Sequence, residues 1–457
     1  MSEATALINR QLKEPIAFIT QEVSAINGFK GVISTATFLS HVKALAAKLP
    51  EKKHIINLCG NRYLFLVSVC AAVLRKQINL LPPNKNIATQ ERLAQRYQNA
   101  YVLHDGIDVH KDLEQLNLSE INILGYQFDE QLELDAIEQI PLEQLAIISF
   151  TSGSTGDSKP NLKTWQTLIS STKINRQYML SDLKTSYHIL ATVPGQHMWG
   201  LETSVLMALF SPACITDGKP LFPADIQSIL AELPAPIALV TTPVHLRALV
   251  ESGLDFPKVD IILCATSPLT QDLARRAEQK FQAELREVYG CSEVGSMALR
   301  KTGTETKWLK FNGIQFSSNQ GKTIASTEYL PAEIELNDRI VLDENNRFEL
   351  LGRSDDMVDI AGKRGSLTEI NTVLLKFEGL LDGIVIFPQQ DRKIGRLAAI
   401  VVFKEGFSKE QLKAHFRKYL DNVFVPRPIF SVEQLPREEN GKLPRKKIDA
   451  LYAQLSA

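Results

Sequence analysis

The stretch SFTSGSTGDSKP, residues 149–160, concentrates glycines, hydroxyls and one lysine directly after the apolar run LAIIS. Glycine lets backbone N–H groups approach a ligand without a Cβ in the way. Serine and threonine hydroxyls donate to phosphate oxygens, and a lysine adds positive charge. Thr151, Ser152, Gly153, Ser154, Thr155, Gly156 and Lys159 are therefore candidates for holding a phosphate chain. A Walker loop needs Gly directly before its Lys and Ser or Thr after it. Here Ser158 and Pro160 flank Lys159, which excludes that loop. Taken alone, the segment leaves a phosphate cradle and a plain surface loop both open. A second chemical candidate is GCSEVG at 290–295, one residue away from a G-x-S-x-G nucleophile elbow. Val294 stands where the strained turn of an elbow requires a small residue, which argues against a serine hydrolase.

These residues need elements to position them. From about 145 to 290, short β-branched runs alternate with longer amphipathic ones. LAIISF, HILATVP, IALVTTP, VDIILCA and ELREVYG read as strands. TWQTLISSTKINRQYM, MWGLETSVLMALF, ADIQSILAEL, VHLRALVES and QDLARRAEQKF read as helices. The earlier set IINLCG, RYLFLVSVCAAVLRKQ and INLLP repeats the pattern. Such alternation predicts an α/β fold with doubly wound, mostly parallel sheets covered on both faces. Ligands of such sheets bind at loops leaving the carboxyl ends of strands, and 149–160 is such a loop. Near 335 the texture changes. RIVLDENNRFELLG reads as a hairpin around DENN; helix and strand runs follow, then a basic tail. The expected organisation is a large N-terminal domain over 1–354 and a small α+β domain over 355–457.

Bulk properties narrow the class. The 457 residues exceed one core, and the formal net charge of -1 gives no long-range attraction for nucleic acid. The longest apolar runs are strand-sized, so no membrane span is expected. The five cysteines show no metal-ligand spacing, and the N-terminus lacks a signal layout, which together point to the cytoplasm.

In chain order the sequence also carries PGQHMWG (194–200), ATSPL (265–269), VYGCSEVG (288–295), LND (336–338), LGRSDD (351–356), AGKRG (361–365) and NGKLPR (440–445). This ordered set resembles the adenylate-forming superfamily of acyl- and aryl-CoA synthetases, stand-alone adenylation enzymes and luciferases. Its motifs are T-S-G-[ST]-T-G-x-P-K-G, Y-G-x-[ST]-E, G-R-x-D-D and G-K-x-x-R. The resemblance spans roughly 145–450 and implies an AMP-forming acid–thiol ligase. Such an enzyme uses ATP and Mg2+ to convert a carboxylic acid to an acyl-adenylate. It then transfers the acyl group to CoA or to the phosphopantetheine of a separate acyl carrier protein. Alternatives are an enzyme that stops at acyl-AMP or uses a non-thiol acceptor, and a nucleotide-binding regulatory module without chemistry.

The resemblance implies roles residue by residue. The 151–156 loop and Lys159 would cover the β- and γ-phosphates, although Ser158 and Pro160 replace the usual Pro and Gly. Glu293 would hold magnesium beside Ser292, with Gly290 in the same motif. Tyr289 would stack on adenine, with Ala265, Thr266 and Ser267 as the other wall. Asp338 and Arg353 would contact the ribose, the aspartate alone surviving from the usual T-G-D. Lys442 would bridge carboxylate and α-phosphate. Asp355 would be the hinge about which the small domain turns, exchanging Lys442 for Gly362, Lys363 and Arg364 in the thioester step. His197, Trp199, Gly200 and Ser296 would border the acid. An F-D-x-S motif is missing, so an α-amino acid is not the expected substrate. No carrier-domain signature follows, and the N-terminal part is short. In its short N-terminal part the chain resembles the compact AMP-ligases of aryl-polyene and pigment clusters, which load hydroxybenzoate-like acids onto carrier proteins.

Overall fold

The computed structural model describes residues 3–23, 28–121, 123, 137–151, 159–319, 322–343, 345–353, 356–360, 363–388, 396–439 and 441–456. The chain divides into two compact units. One comprises 1–265 with 276–301, the other 266–275 with 302–457. The expected hinge Asp355 lies outside the described residues.

The first unit holds two large sheets, besides the short antiparallel pair of Ala4–Ala6 with Gln139–Pro141. One runs in the order Lys159–Thr164, Leu145–Thr151, Ile78–Leu81, His54–Asn57, Ala100–His104, Gln115–Asn117. All its pairings are parallel except the first, an antiparallel hairpin. The second includes Glu284–Cys291, Ile261–Cys264, Ile237–Thr241, Tyr187–Ala191, Ala213–Thr216 and Pro15–Val23, in that order and all parallel. Antiparallel strands Gly295–Arg300 and Phe29–Ser34 flank this parallel set. Every residue of Tyr187–Ala191, Ile237–Thr241 and Ile261–Cys264 is buried, as strands covered on both faces must be.

Arg62–Leu74 explains how two sheets share one interior. Apart from Arg62 and Ser68 its sequence, RYLFLVSVCAAVL, is apolar on every face, and all but its last residue are buried. It packs against Ala213–Thr216 of one sheet and against Ile78–Leu81, His54–Asn57 and Leu145–Thr151 of the other. Asn61 caps it by accepting from Leu64 N. The helix Trp165–Met179 is capped in the same way by Thr164 through Thr167 N. The expected single helix MWGLETSVLMALF divides into Met198–Ser204 and Met207–Phe210, with Val205 leaving helical geometry.

In the second unit, Asp338–Leu342 and Arg347–Arg353 form the expected hairpin. Further on, Leu380–Ile386, Ala398–Phe403 and Ile429–Ser431 make a small sheet. Alternation along Ala398–Phe403 sends Ala399 and Val401 to a core with the helices Leu367–Leu375 and Lys409–Tyr419. Ala398 and Ile400 face the other way, onto Ile448 and Tyr452 of the helix Arg445–Ser456. The stretch expected as a basic tail is thus an amphipathic helix, because Ile448, Leu451, Tyr452 and Leu455 fall on one face.

Candidate active site

The phosphate-loop candidates Ser152, Gly153, Ser154, Thr155 and Gly156 lie outside the described residues, as does the side chain of Thr151. Their two flanks are described. Thr151 ends one strand and Lys159 begins the next, directly opposite it in register. The loop therefore joins two strands of one hairpin, and Lys159 is exposed at its return. The Lys159–Thr164 strand is absent from the sequence reading, which ran the loop to Pro160.

Four residues along that strand, Lys163 is 1% exposed, and its Nζ donates to the backbone oxygen of Glu293 at 2.7 Å. Burial lowers its pKa, opposed first by the charge of Glu202 and then by Cys291 and Glu293. Glu202 is 2% exposed. Its Oε2 accepts from Ser296 N at 3.1 Å and Ser296 Oγ at 2.9 Å. Burial raises its pKa, opposed by Lys163, Ser296 and Asn175. Neither Lys163 nor Glu202 was a candidate in the sequence. Nothing in KPNLKT or HMWGLE marks their charges as buried, because burial is a tertiary property.

These two side chains meet the turn that carries Ser292 and Glu293. Strand Glu284–Cys291 ends before it and the antiparallel strand Gly295–Arg300 begins after it. A strand–turn–strand here is not the strand–turn–helix of a nucleophile elbow, which removes the hydrolase reading of Ser292. Burial pushes the neighbouring Cys291 thiol up to about 12, so it is no nucleophile either. The turn is tight. A Cβ on Gly290 would overlap the Gly295 oxygen, and one on Gly295 would overlap Glu202 Oε1. Gly295 also has φ +99°, which glycine alone adopts freely. Tyr289 is buried just before the turn, Glu293 is half-buried on it, and Ser296 is buried just after.

PGQHMWG lies in the same unit and leads into the helix that carries Glu202. Arg62 is 2% exposed and holds the carbonyls of Val193 at 2.6 Å and Ala191 at 3.1 Å, together with Gly218 at 2.6 Å. Gln196 donates to the Cys59 oxygen. His197 precedes the helix Met198–Ser204, half-buried, and Trp199 Nε1 donates to Thr241 O at 3.1 Å. A Cβ on Gly200 would strike the Pro194 oxygen. Gly200 thus serves the close return of the loop onto the helix.

Ala265 is buried after strand Ile261–Cys264. Thr266 follows in the second unit with φ 89°, strained for a β-branched residue. Its Oγ1 is buried with no partner among the described residues. Strain of this kind persists only where surroundings enforce it, commonly at ligand sites. Ser267 is half-buried beside it.

Asp338 and Arg353 are paired across the second unit's hairpin, Cα opposite Cα, so one structural feature presents both ribose candidates. The Arg353 side chain lies outside the described residues, as do Gly362 and the Arg364 side chain. Lys363 is exposed and paired with Asp421, whose pKa it lowers by that hydrogen bond. Lys442 is exposed on a turn that Arg437 organises. Arg437 grips Asp382 through Nε at 2.7 Å and Nη2 at 2.6 Å, and its Nη1 donates to Gly441 O at 2.6 Å. Glu438 N closes the turn on Lys442 O at 2.8 Å. Among the described residues no cluster of three or more His, Cys, Asp or Glu could hold a metal, and no helix is long and apolar enough to cross a membrane.

The chain is 22% identical over 376 residues to the 3,4-dihydroxybenzoate--[aryl-carrier protein] ligase of Bacillus anthracis, covering 78% of this chain and 86% of the relative. It is 22% identical over 342 residues to the 2-succinylbenzoate--CoA ligase of Listeria monocytogenes, covering 68% and 71%. Among solved structures, it shares a TM-score of 0.78 at 18% identity with ATP-bound MatB from Rhodopseudomonas palustris, over 98% of both chains. It shares 0.75 at 17% with the Bacillus subtilis o-succinylbenzoate CoA synthetase bound to its acyl-adenylate, over 91% and 93%. At these identities the structural likeness shows the fold. The model of the AMP-binding enzyme family matches residues 42–330, and that of the AMP-binding enzyme C-terminal domain matches 369–442. The chain belongs to the AMP-binding enzyme family.

Proposed function

We propose that this chain activates an aromatic or other small carboxylic acid with ATP and passes the acyl group to a thiol. The observation that carries the reading is that both family models fit, the second reaching Lys442. In the first step a carboxylate oxygen attacks the α-phosphorus and the bond to the β-phosphate breaks, releasing pyrophosphate. In the second a sulfur attacks the acyl carbonyl carbon; the thiol proton passes to solvent and AMP leaves with the bonding pair. A carboxylate approaching a phosphate is anion meeting anion, so the site must supply cations and fixed donors.

The residues take these roles. Thr151 to Gly156 and Lys159 hold the terminal phosphates; Tyr289 and the 265–267 segment hold adenine; Asp338 and Arg353 hold ribose. Lys442 supplies the ammonium between carboxylate and α-phosphate. The small domain, from a hinge at Asp355, brings it for the first step and exchanges it for Gly362, Lys363 and Arg364 in the second. His197, Trp199, Gly200 and Ser296 border the acid. Magnesium needs few protein ligands, since it keeps waters and takes substrate phosphates. A single half-buried carboxylate, Glu293, fits that demand, and the ion would neutralise phosphate charge there. The relatives' names direct the choice of acids to hydroxybenzoates and other aryl acids, with a carrier protein or CoA as acceptor.

The test is carboxylate-dependent ATP–pyrophosphate exchange over hydroxybenzoates, cinnamates and fatty acids, followed by thioester formation with CoA and with carrier protein. Exchange that depends on an aryl acid supports the reading, and exchange with none of the acids removes it.

A further inference from the structure

A turn that must place one carboxylate is held in this molecule by two charges buried in the interior. Lys163 fixes the turn's first end through the carbonyl of Glu293, and Glu202 fixes its other end through the amide and hydroxyl of Ser296. The glycine between them has no room for a side chain, because Glu202 occupies the space. Each charge comes from an element with another task. Lys163 lies on the strand returning from the 152–158 loop, and Glu202 lies on the helix following His197. A hydrophobic residue at either position would pack the interior at less cost, since desolvating a charge is expensive unless it is paired and hydrogen-bonded.

We propose that Lys163 and Glu202 are positioning residues that clamp the Glu293–Ser296 turn, so that the Glu293 carboxylate is presented to magnesium-bound ATP. The inference rests on the role of Glu293 given above. It makes the phosphate hairpin, the acid-side helix and the metal-side turn one mechanical unit through two side chains. Neither Lys163 nor Glu202 touches a reacting atom in this scheme; both act through the backbone of the turn.

The experiment compares wild type, Lys163→Met, Glu202→Gln and the double variant. Thermal melting is read beside calorimetric titration of Mg·ATP without any acid. Each single variant leaves one buried charge uncompensated and is expected to lower Tm. The double variant removes both charges and is expected to regain most of the lost Tm. Its Mg·ATP affinity is expected to stay about 10-fold or more below wild type, the usual cost of losing the groups that orient a metal ligand. If the double variant binds Mg·ATP as wild type does, the pair only fills the interior and the proposal is overturned. The double variant decides the matter even if the single variants fail to fold. A wild-type protein that binds no Mg·ATP would instead overturn the nucleotide reading itself, and the clamp with it.

Discussion

The Glu293 turn and the Lys442 turn are both short and each presents one candidate charge, yet they are anchored by opposite means. The first is held from a dry interior, by Lys163 at 1% and Glu202 at 2% exposure. The second is held at the surface of its own lobe by the Arg437–Asp382 pair, whose side chains keep 17% and 21% of their exposure. Desolvated charges resist movement, because breaking one contact strands the other charge in a low dielectric. A partly solvated bidentate pair orients a turn firmly but costs little to disturb. Under the roles proposed above, the difference suits a Glu293 carboxylate that keeps its place within its own unit and a Lys442 turn that keeps its shape within the other.

The contrast can be tested by removal. Lys163→Met should cost about 3 kcal/mol of stability, measured by denaturant unfolding, because it leaves the Glu293 carbonyl without its buried charged donor. A cost below about 1 kcal/mol would mean that the interior is wetter than the burial of Lys163 and Glu202 implies. The same dryness acts on His41, which burial lowers from 6.5 to about 4 and which is bonded to Tyr63 at 2.6 Å through Nδ1. The folded chain keeps it neutral where the unfolded chain protonates. Stability is therefore complete above pH 6.5 and falls as pH drops toward about 4, by about 3 kcal/mol. Unfolding curves of His41→Gln should lose that slope, and a slope left unchanged would locate it elsewhere. Smallest should be Arg437→Ala, at about 1 kcal/mol of stability. Its effect on adenylation should exceed that on thioester formation, because it loosens the Lys442 turn. Arg437→Lys should fail to restore adenylation, since an ammonium cannot bridge Asp382 and Gly441 as a guanidinium does. Full rescue by lysine would reduce Arg437 to a simple charge.

Much of the fold is legible in the sequence. Buried parallel strands announce themselves as continuous runs such as IALVT and IILC, and hairpins by signals such as DENN. The candidate residues are legible too, because glycines, hydroxyls and a carboxylate recur in an ordered set of motifs. Three things are not. Lys163 and Glu202 are invisible because a charge looks the same in sequence whether it faces water or another charge. The helix Arg445–Ser456 is masked by KLPRKK, whose charge run hides an apolar stripe that begins only at Ile448. The break between Met198–Ser204 and Met207–Phe210 occurs in an uninterrupted apolar stretch, where periodicity has no polar face to report it.

The most direct test of the account is to measure both half-reactions in Lys442→Ala. With the acid that wild type accepts, ATP–pyrophosphate exchange should fall by about a hundred- to a thousand-fold, the usual loss when one transition-state charge donor is removed. Thioester formation from supplied acyl-adenylate should stay close to wild type. Equal loss in both halves would contradict a lysine that serves adenylation alone, and with it the exchange of turns in one lobe between the two steps.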